Sequence, residues 1–214
     1  MGAEGAAESR EPAIRPPGYP ARYEREVRLH DGRAVRIRPI LPGDGPALAE
    51  AIRTADPETI RGRFLGGRPP VTPELVRHLT VVDYQARFAL VAIDPVSGGG
   101  VGIARFETVA DDDGVAEVAV AVGSAWRHAG LGTELLRLLA EAAAERGVRT
   151  FTGRYWAENR PVAALIEDAG AHARQIFNHG VAEFVVSVGN QADSAIANRK
   201  EDAAEARDGT APTD

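Results

Sequence analysis

Cysteine is absent from the 214 residues of this chain, and lysine occurs only once, as Lys200. Without a thiol the chain can form no disulfide, no thiolate metal site and no acyl-cysteine intermediate. The five histidines are scattered without metal-ligand spacing, so no metal is expected. Because lysine is so scarce, an enzyme that modified lysine side chains would have almost nothing of its own to modify.

Long apolar runs are also missing. No uninterrupted stretch approaches the roughly 20 residues that a membrane-spanning helix needs, and the N-terminus lacks the apolar segment of a signal peptide. We therefore expect a cytoplasmic protein without a membrane partner. The net charge of −6 argues against nucleic acid as the main partner, because phosphate binding requires a basic surface. It is compatible with a cationic substrate such as an amine.

The composition favours one folded domain with two tails. Residues 1–22 are rich in glycine, alanine, glutamate and proline, and residues 190–214 are polar and charged. Such segments cannot bury enough apolar surface to order themselves. We therefore predict disordered tails on either side of a single domain at residues 23–189, and we expect a monomer or a homodimer.

The body of the chain alternates between strand and helix patterns. Two alternating runs flank Asp31-Gly32 as a β-hairpin, and three helix starts follow, with Asp44 and Thr72 as predicted N-caps. Residues 87–122 are typical of an antiparallel meander. A helix, a strand, a second helix and a hairpin over residues 172–188 complete the order. The predicted fold class is therefore α/β (α+β), with a mixed, mostly antiparallel central sheet flanked by helices.

The most informative stretch is Arg127-His128-Ala129-Gly130-Leu131-Gly132, between the end of a strand and an apolar helix pattern. Its glycines let the backbone approach a pyrophosphate, and the N–H groups at the start of the helix attract negative charge. Arg127 can add charge-assisted hydrogen bonds, and Thr133 offers a hydroxyl. The Gly-Lys-Ser/Thr of a Walker loop is missing, and the antiparallel strands before the loop do not fit a Rossmann fingerprint.

Besides this loop, several other segments fit the pattern of one known family. They are Tyr19-Pro20, Arg38-Pro39-Ile40 with Asp44, residues 78–84 and 87–92, and Ala116-Glu117-Val118-Ala119. With them the chain resembles, over about residues 24–188, the GNAT superfamily of N-acetyltransferases. It looks most like the catalytic domain of bacterial protein lysine acetyltransferases, which acetylate acyl-CoA synthetases. The resemblance implies a GNAT-like fold with acetyl-CoA as co-substrate. It also implies that the cofactor is bound by the strand end, the loop and an asparagine, namely Ala119, Val120, Ala121, Val122, Arg127, His128, Ala129, Gly130, Leu131, Gly132, Thr133 and Asn159.

Glu117 is the residue that we expect to act as general base. An amine with a pKa near 10.4 is mostly protonated at neutral pH and must lose a proton before it attacks a thioester. The small residues Ala119 and Ala121 leave room beside the carboxylate, and a glutamate at this place acts as the base in the resembling enzymes. The rival carboxylate is Glu107 on the preceding strand, which can instead pair with an arginine, Arg105 or Arg154.

Three details of the site stay open or depart from the superfamily. Asn159 suits the cofactor and suits an N-cap equally well. The oxyanion is expected to be met by backbone N–H groups of residues 119–122, where superfamily members separate neighbouring strands. Many GNAT enzymes carry a tyrosine as the acid for the leaving thiolate, but here Leu165 is followed by Ile166. Tyrosine-assisted departure is therefore not expected.

Three functions follow from these patterns. The first is an acetyl-CoA-dependent lysine N-acetyltransferase that works by direct attack in a ternary complex, with an acyl-CoA synthetase as a candidate acceptor. The second keeps the enzyme but changes the acceptor to a small-molecule amine or a protein N-terminus. The third is an acyl-CoA-binding module without turnover. We expect residues 53–85 and 177–181 to form the acceptor site.

Overall fold

The computed structural model of the protein describes residues 15–110, 112, 114–168, 176–178 and 180–189. Within these ranges the chain forms five α-helices: α1 (Gly45–Thr54), α2 (Pro57–Phe64), α3 (Pro73–Thr80), α4 (Leu131–Ala144) and α5 (Arg160–Asp168). The same ranges contain eight strands: β1 (Arg25–Arg28), β2 (Ala34–Pro39), β3 (Arg87–Ile93), β4 (Gly100–Thr108), β5 (Val115–Val122), β6 (Thr150–Trp156), β7 (Ile176–Asn178) and β8 (Val181–Ser187). None of the helices in these ranges is both long and apolar enough to cross a bilayer.

The strands form one mixed sheet in the order β1-β2-β3-β4-β5-β6-β8-β7. Neighbours that follow each other in the chain pair antiparallel as far as β5. Short turns join β1 to β2, β3 to β4 and β4 to β5, whereas α1, α2 and α3 lie between β2 and β3. The step from β5 to β6 is parallel, because α4 carries the chain back across the sheet. Beyond it, β8 pairs antiparallel with both β6 and β7. The sheet is therefore mostly antiparallel, as predicted.

Helix α4 covers one face of the sheet and forms the main core. Its leucines Leu135, Leu138 and Leu139 are fully buried against aromatic rings of the strands, including Phe88 and Phe106. Full burial of each such side chain contributes about 1.5–3 kcal/mol. The opposite face carries α1, α2 and α3, which pack through smaller apolar clusters. Because the helices on the second face bury less apolar surface, the part of that face at β5 can carry polar groups.

The pairing between β5 and β6 is short. It runs from Val115↔Thr150 to Glu117↔Thr152 and then stops, although both strands continue. Beyond that point β6 keeps its pairing with β8, and β5 keeps its pairing with β4. Because each strand has another neighbour, the two can separate without losing their place in the sheet. A wedge-shaped gap therefore opens directly after Glu117.

The helix starts are partly as predicted. Thr72 caps α3, since its Oγ1 accepts from the N–H of Leu75 at 3.2 Å, which confirms that prediction. Asp44 does not use its side chain to cap α1. Its carboxylate instead accepts two bonds from the guanidinium of Arg38, at 2.6 and 2.8 Å, and one from the N–H of Leu41 at 2.7 Å. An arginine fork is the stronger partner for a carboxylate, which explains the difference.

The folded contacts begin before residue 23, the predicted start of the domain. Pro20 and Tyr23 are buried, and the ring of Tyr19 packs edge-on against Tyr84 with centroids 5.8 Å apart. Aromatic packing thus keeps Tyr19 and Pro20 in the fold, although their composition predicted a disordered tail. At the other end, residues 172–175 and 179 of the predicted last hairpin lie outside the described residues, whereas its strands β7 and β8 are present.

Gly153 should be sensitive to any side chain, because it lies where β5 and β6 part. A β-carbon there would lie 2.6 Å from Cζ of Phe184 and 3.1 Å from the carbonyl oxygen of Val118. We expect Gly153→Ala to lower the free energy of unfolding by about 1–3 kcal/mol, measured by urea denaturation. The matched control is Gly43→Ala, since nothing lies within 4 Å of a β-carbon at that position. Equal unfolding midpoints for the two variants would contradict the close contact.

Candidate active site

The side chain of Glu117 lies at the start of the gap and is exposed. In the sheet register it is directly opposite Glu107 of β4, which in turn is opposite Arg87 of β3. Directly opposite residues share one face of a sheet, so both carboxylates lie on the face that carries α1–α3. The register alone does not separate the two candidates for a general base.

Their partners do separate them. The Oε2 atom of Glu107 lies 3.5 Å from Nε2 of His78 and 3.6 Å from Nη2 of Arg105. The predicted partner Arg105 is thus confirmed. No hydrogen bond or ion pair of Glu117 occurs within the described part of the chain, and Glu117 lines a cavity that Glu107 does not reach. The free carboxylate is therefore Glu117.

The edge of β5 that faces the gap offers backbone donors. The N–H of Gly123 donates to the carbonyl of Val101 on β4, at 3.0 Å. Backbone groups alternate in direction along a strand, so the N–H groups of 119 and 121 also point to β4. Those of Val118, Val120 and Val122 point toward the gap. Of the four backbone positions that the sequence suggested, the structure leaves two, Val120 and Val122, with donors on this side.

The loop after β5 is stabilised by contacts from the β1–β2 hairpin. Gly130 has a φ of +84°, and a β-carbon there would lie 2.9 Å from the imidazole of His30. The N–H of His30 also donates to the carbonyl of Ala129 at 3.1 Å, which ties the loop to the β1–β2 hairpin. His128 adopts a φ of +61°, a conformation that glycine adopts at lower cost, and its side chain is exposed.

Helix α4 begins directly after this loop. Its N-cap is Gly130, and no side chain accepts a hydrogen bond from the first N–H groups of the helix. The first helical residues, Leu131, Gly132 and Thr133, line a cavity. The first N–H groups of a helix have no partner within the helix, and they lie at the positive end of its dipole. The cavity wall thus carries free donors and positive potential, which fits a pyrophosphate.

Arg127, the cation of the loop, is engaged by α2. Its Nη1 lies 2.7 Å from Oε2 of Glu58, and its Nη2 lies 2.6 Å from Oγ1 of Thr59 and 3.5 Å from Oδ1 of Asp56. Asp56 also caps α2 through the N–H of Thr59. The guanidinium therefore lines the cavity while it is bound by two carboxylates.

Asn159 lies at the start of α5 and serves as its N-cap. Its Oδ1 accepts from the N–H of Val162 at 3.4 Å, which confirms the capping alternative. The residue also lines the cavity beside the loop, and its Nδ2 lies 3.6 Å from a β-carbon placed at Gly62. Capping uses the oxygen and leaves the amide nitrogen on the side of α2.

These groups surround two cavities. We call the first, of about 280 Å³, the Glu117 cavity, and its polar lining consists of Arg63, Glu117, Arg154 and Tyr155. We call the second, of about 360 Å³, the loop cavity, and it is lined by Val120, Ala121, Val122, Arg127, His128, Gly130, Leu131, Gly132, Thr133 and Asn159 together with α2. Both cavities share Gly62, Arg63, Val120, Val162 and Leu165, so they join into one groove.

Two predicted positions stand apart from the loop cavity. Ala119 lines the Glu117 cavity instead, and Ala129 is only 2% exposed and lines neither cavity. Conversely, the groove is also lined by three residues of α2 that belong to no motif in the sequence, Glu58, Thr59 and Arg63. They lie within residues 53–85, which were expected at the acceptor site, but nothing local to them indicates contact with a loop 68 residues away.

Comparison with known proteins places this geometry in a family. The family model of the acetyltransferase (GNAT) domain matches residues 34–172. The chain is 30% identical over 145 residues to acetyltransferase Pat of Mycolicibacterium smegmatis, which covers 68% of this chain and 43% of that protein. It is 33% identical over 139 residues to acetyltransferase PA5475 of Pseudomonas aeruginosa, covering 64% of this chain and 74% of that one.

A solved structure agrees in fold. The GNAT domain of S. lividans PAT matches with a TM-score of 0.72 and 29% identity, over 79% of this chain and 99% of that domain. This match confirms the predicted GNAT-like fold class. The chain spans less than half the length of the mycobacterial relative, so the likeness concerns one part of that protein.

The ion pair between Arg127 and Glu58 yields a prediction. Glu58→Gln should tighten binding of coenzyme A about two- to fivefold at low salt, because it frees Arg127 and removes a negative charge near the pyrophosphate. Isothermal titration calorimetry measures this change in Kd. The control is Glu50→Gln on α1, an exposed glutamate that pairs with Arg53 and lines neither cavity. A Kd that is unchanged or higher in Glu58→Gln would contradict the competition.

Proposed function

Because this chain belongs to the acetyltransferase (GNAT) family, we propose that it transfers the acetyl group of acetyl-CoA to a lysine side chain of another protein. That it is an acetyl-CoA-dependent N-acetyltransferase follows from the family and from the named acetyltransferases that it resembles. The alternative of a binding module without turnover is therefore dropped. The likeness to Pat and to the PAT domain supports a protein acceptor, with an acyl-CoA synthetase as a candidate.

The observation that carries the proposal is the carboxylate of Glu117, which has no partner among the described residues and lies beside a groove that continues to the loop. The loop cavity offers the free N–H groups of α4 and the guanidinium of Arg127 to the pyrophosphate. The Glu117 cavity lies at the other end of the same groove, where an acceptor amine can enter. In the proposed mechanism Glu117 accepts the proton of the ammonium, directly or through water, so that the amine can attack.

The backbone of β5 supplies the second part of this mechanism. Negative charge develops on the carbonyl oxygen of a thioester as an amine adds to it, and donors that are already in place stabilise that charge. The N–H groups of Val118 and Val120 point into the gap next to Glu117 and are suited to this role. The chain contains no cysteine that could carry the acetyl group, so direct transfer in a ternary complex is the proposed route. The new C–N bond replaces the C–S bond of the thioester, and the thiolate of coenzyme A leaves.

Glutamine substitution tests the role of Glu117. We expect Glu117→Gln to reduce kcat by two or more orders of magnitude while the Kd for acetyl-CoA stays within about twofold, because the loop cavity is unchanged. The matched control is Glu107→Gln, which removes the opposite carboxylate and should reduce kcat much less. An unchanged rate in Glu117→Gln, or an equal loss in both variants, would refute the assignment.

The acceptor itself can be found by mass spectrometry. The full chain is incubated with acetyl-CoA and either a panel of purified acyl-CoA synthetases or a panel of small amines. We expect acetylated lysine in at least one synthetase. Self-acetylation can appear only at Lys200 or at the N-terminus, so the background is low. Modification of small amines or of protein N-termini alone would favour the second candidate acceptor and contradict a lysine target.

A further inference from the structure

We propose that the Glu117 cavity recognises a carboxylate beside the amine, with Arg63 and Arg154 as its ligands, so that the preferred acceptor is a lysine next to an aspartate or glutamate. This inference rests on the proposed function, since it names the class of lysine that the same site would accept. It extends the general base assignment because it concerns the charges around Glu117 rather than Glu117 itself.

Arg63 occupies the junction of the two cavities. It lies in the last turn of α2 and lines both the Glu117 cavity and the loop cavity. Its guanidinium lies over the ring of Phe64, 5.0 Å from the centroid, and makes no hydrogen bond or ion pair within the described residues. Desolvation lowers the pKa of Arg63, and the charge of Glu117 opposes that shift. An arginine that is partly buried and makes no hydrogen bond among the described residues has unused donors.

Arg154 supplies a second guanidinium. It is an exposed residue of β6 that lines the Glu117 cavity. The sheet register places it directly opposite Glu183 of β8, where an ion pair would be natural. No such pair forms within 4 Å in the part of the chain that the structure describes. The guanidinium therefore remains available to a ligand in the cavity.

Arg105 adds positive charge from behind the cavity wall. It lies opposite Ala119 in the register, its side chain is only 7% exposed, and its Nη1 and Nη2 atoms have no hydrogen-bond partner among the described residues. Burial and the nearby charge of Arg63 lower the pKa of Arg105 to about 10, so it still carries its proton at neutral pH. Its nearest carboxylate, that of Glu107, is shared with His78.

The charge balance of the cavity does not suit an ammonium alone. Among the described lining residues there is one carboxylate, Glu117, against two guanidinium groups, and a third guanidinium lies behind them. A lysine that enters alone brings one more positive charge. An acidic neighbour neutralises that charge and offers the planar oxygen pair that a guanidinium binds best. Glu117 remains free to accept the proton.

The test compares blocked peptides that differ in one residue. The full chain and acetyl-CoA are given peptides with a single lysine followed by Glu, Gln or Arg. We expect kcat/KM to be at least about tenfold higher with Glu than with Gln, and lowest with Arg. In Arg63→Gln the preference for Glu over Gln should fall below about threefold, with a smaller fall in Arg154→Gln. The control Arg53→Gln, on α1 and outside both cavities, should keep the full preference.

One further variant and a small-molecule arm keep the outcomes distinct. Arg63→Lys retains the charge and should retain part of the preference for Glu. Arg154→Gln changes an exposed residue and should fold normally. If Arg63→Gln does not fold, these two variants still test the inference. Equal kcat/KM for the Glu and Gln peptides overturns the inference and leaves the proposed function standing. Acetylation of 4-aminobutanoate but not its amide, with no peptide modified, supports the anion site and overturns the protein acceptor. No acetylation of any amine overturns both.

Discussion

The separation of β5 from β6 after Glu117 is the constraint on which the site depends. A sheet normally satisfies its backbone by continuous pairing, and the backbone groups that face a gap lose their partners in the sheet. Each strand keeps its place only if it has another neighbour. Here β5 pairs with β4 from Ala116 to Val122, and β6 pairs with β8 from Thr150 to Trp156. The gap therefore exposes a row of N–H groups on one edge of β5, next to a carboxylate, without loss of the fold.

Helix α2 spans this gap and connects its two ends. Asp56, Glu58 and Thr59 bind Arg127 on the loop side. On the other side the indole N–H of Trp156 donates to the carbonyl of Arg61 at 3.1 Å. Arg63 follows both attachments, in the last turn of the same helix. A single short helix thus forms a wall of both cavities, which means that events at the pyrophosphate end and at the acceptor end act on the same element.

The two faces of the sheet differ in how much charge they carry. The face beneath α4 is almost entirely apolar, and its aromatic and leucine side chains provide most of the buried surface. The face beneath α1–α3 carries charged residues on three neighbouring strands at its open end, in the row Arg87, Glu107 and Glu117. Stability is concentrated on the first face, and this leaves the second free to hold buried charge such as Arg105, which a core built for stability alone would avoid.

The sequence by itself determined the features that depend on neighbours in the chain. The strand with Glu117, the loop from Arg127 to Gly132 and helix α4 are contiguous, so their order, spacing and glycines predicted a phosphate-binding turn with a glutamate on the strand before it. Only the tertiary structure decided which carboxylate is free and which cations surround it. Glu107 is engaged by His78 and Arg105, Asp44 is drawn away from α1 by Arg38, and Arg127 is bound by α2. Those partners lie on other elements, and a side chain's partner is chosen by distance and desolvation in the folded chain, which local pattern does not encode.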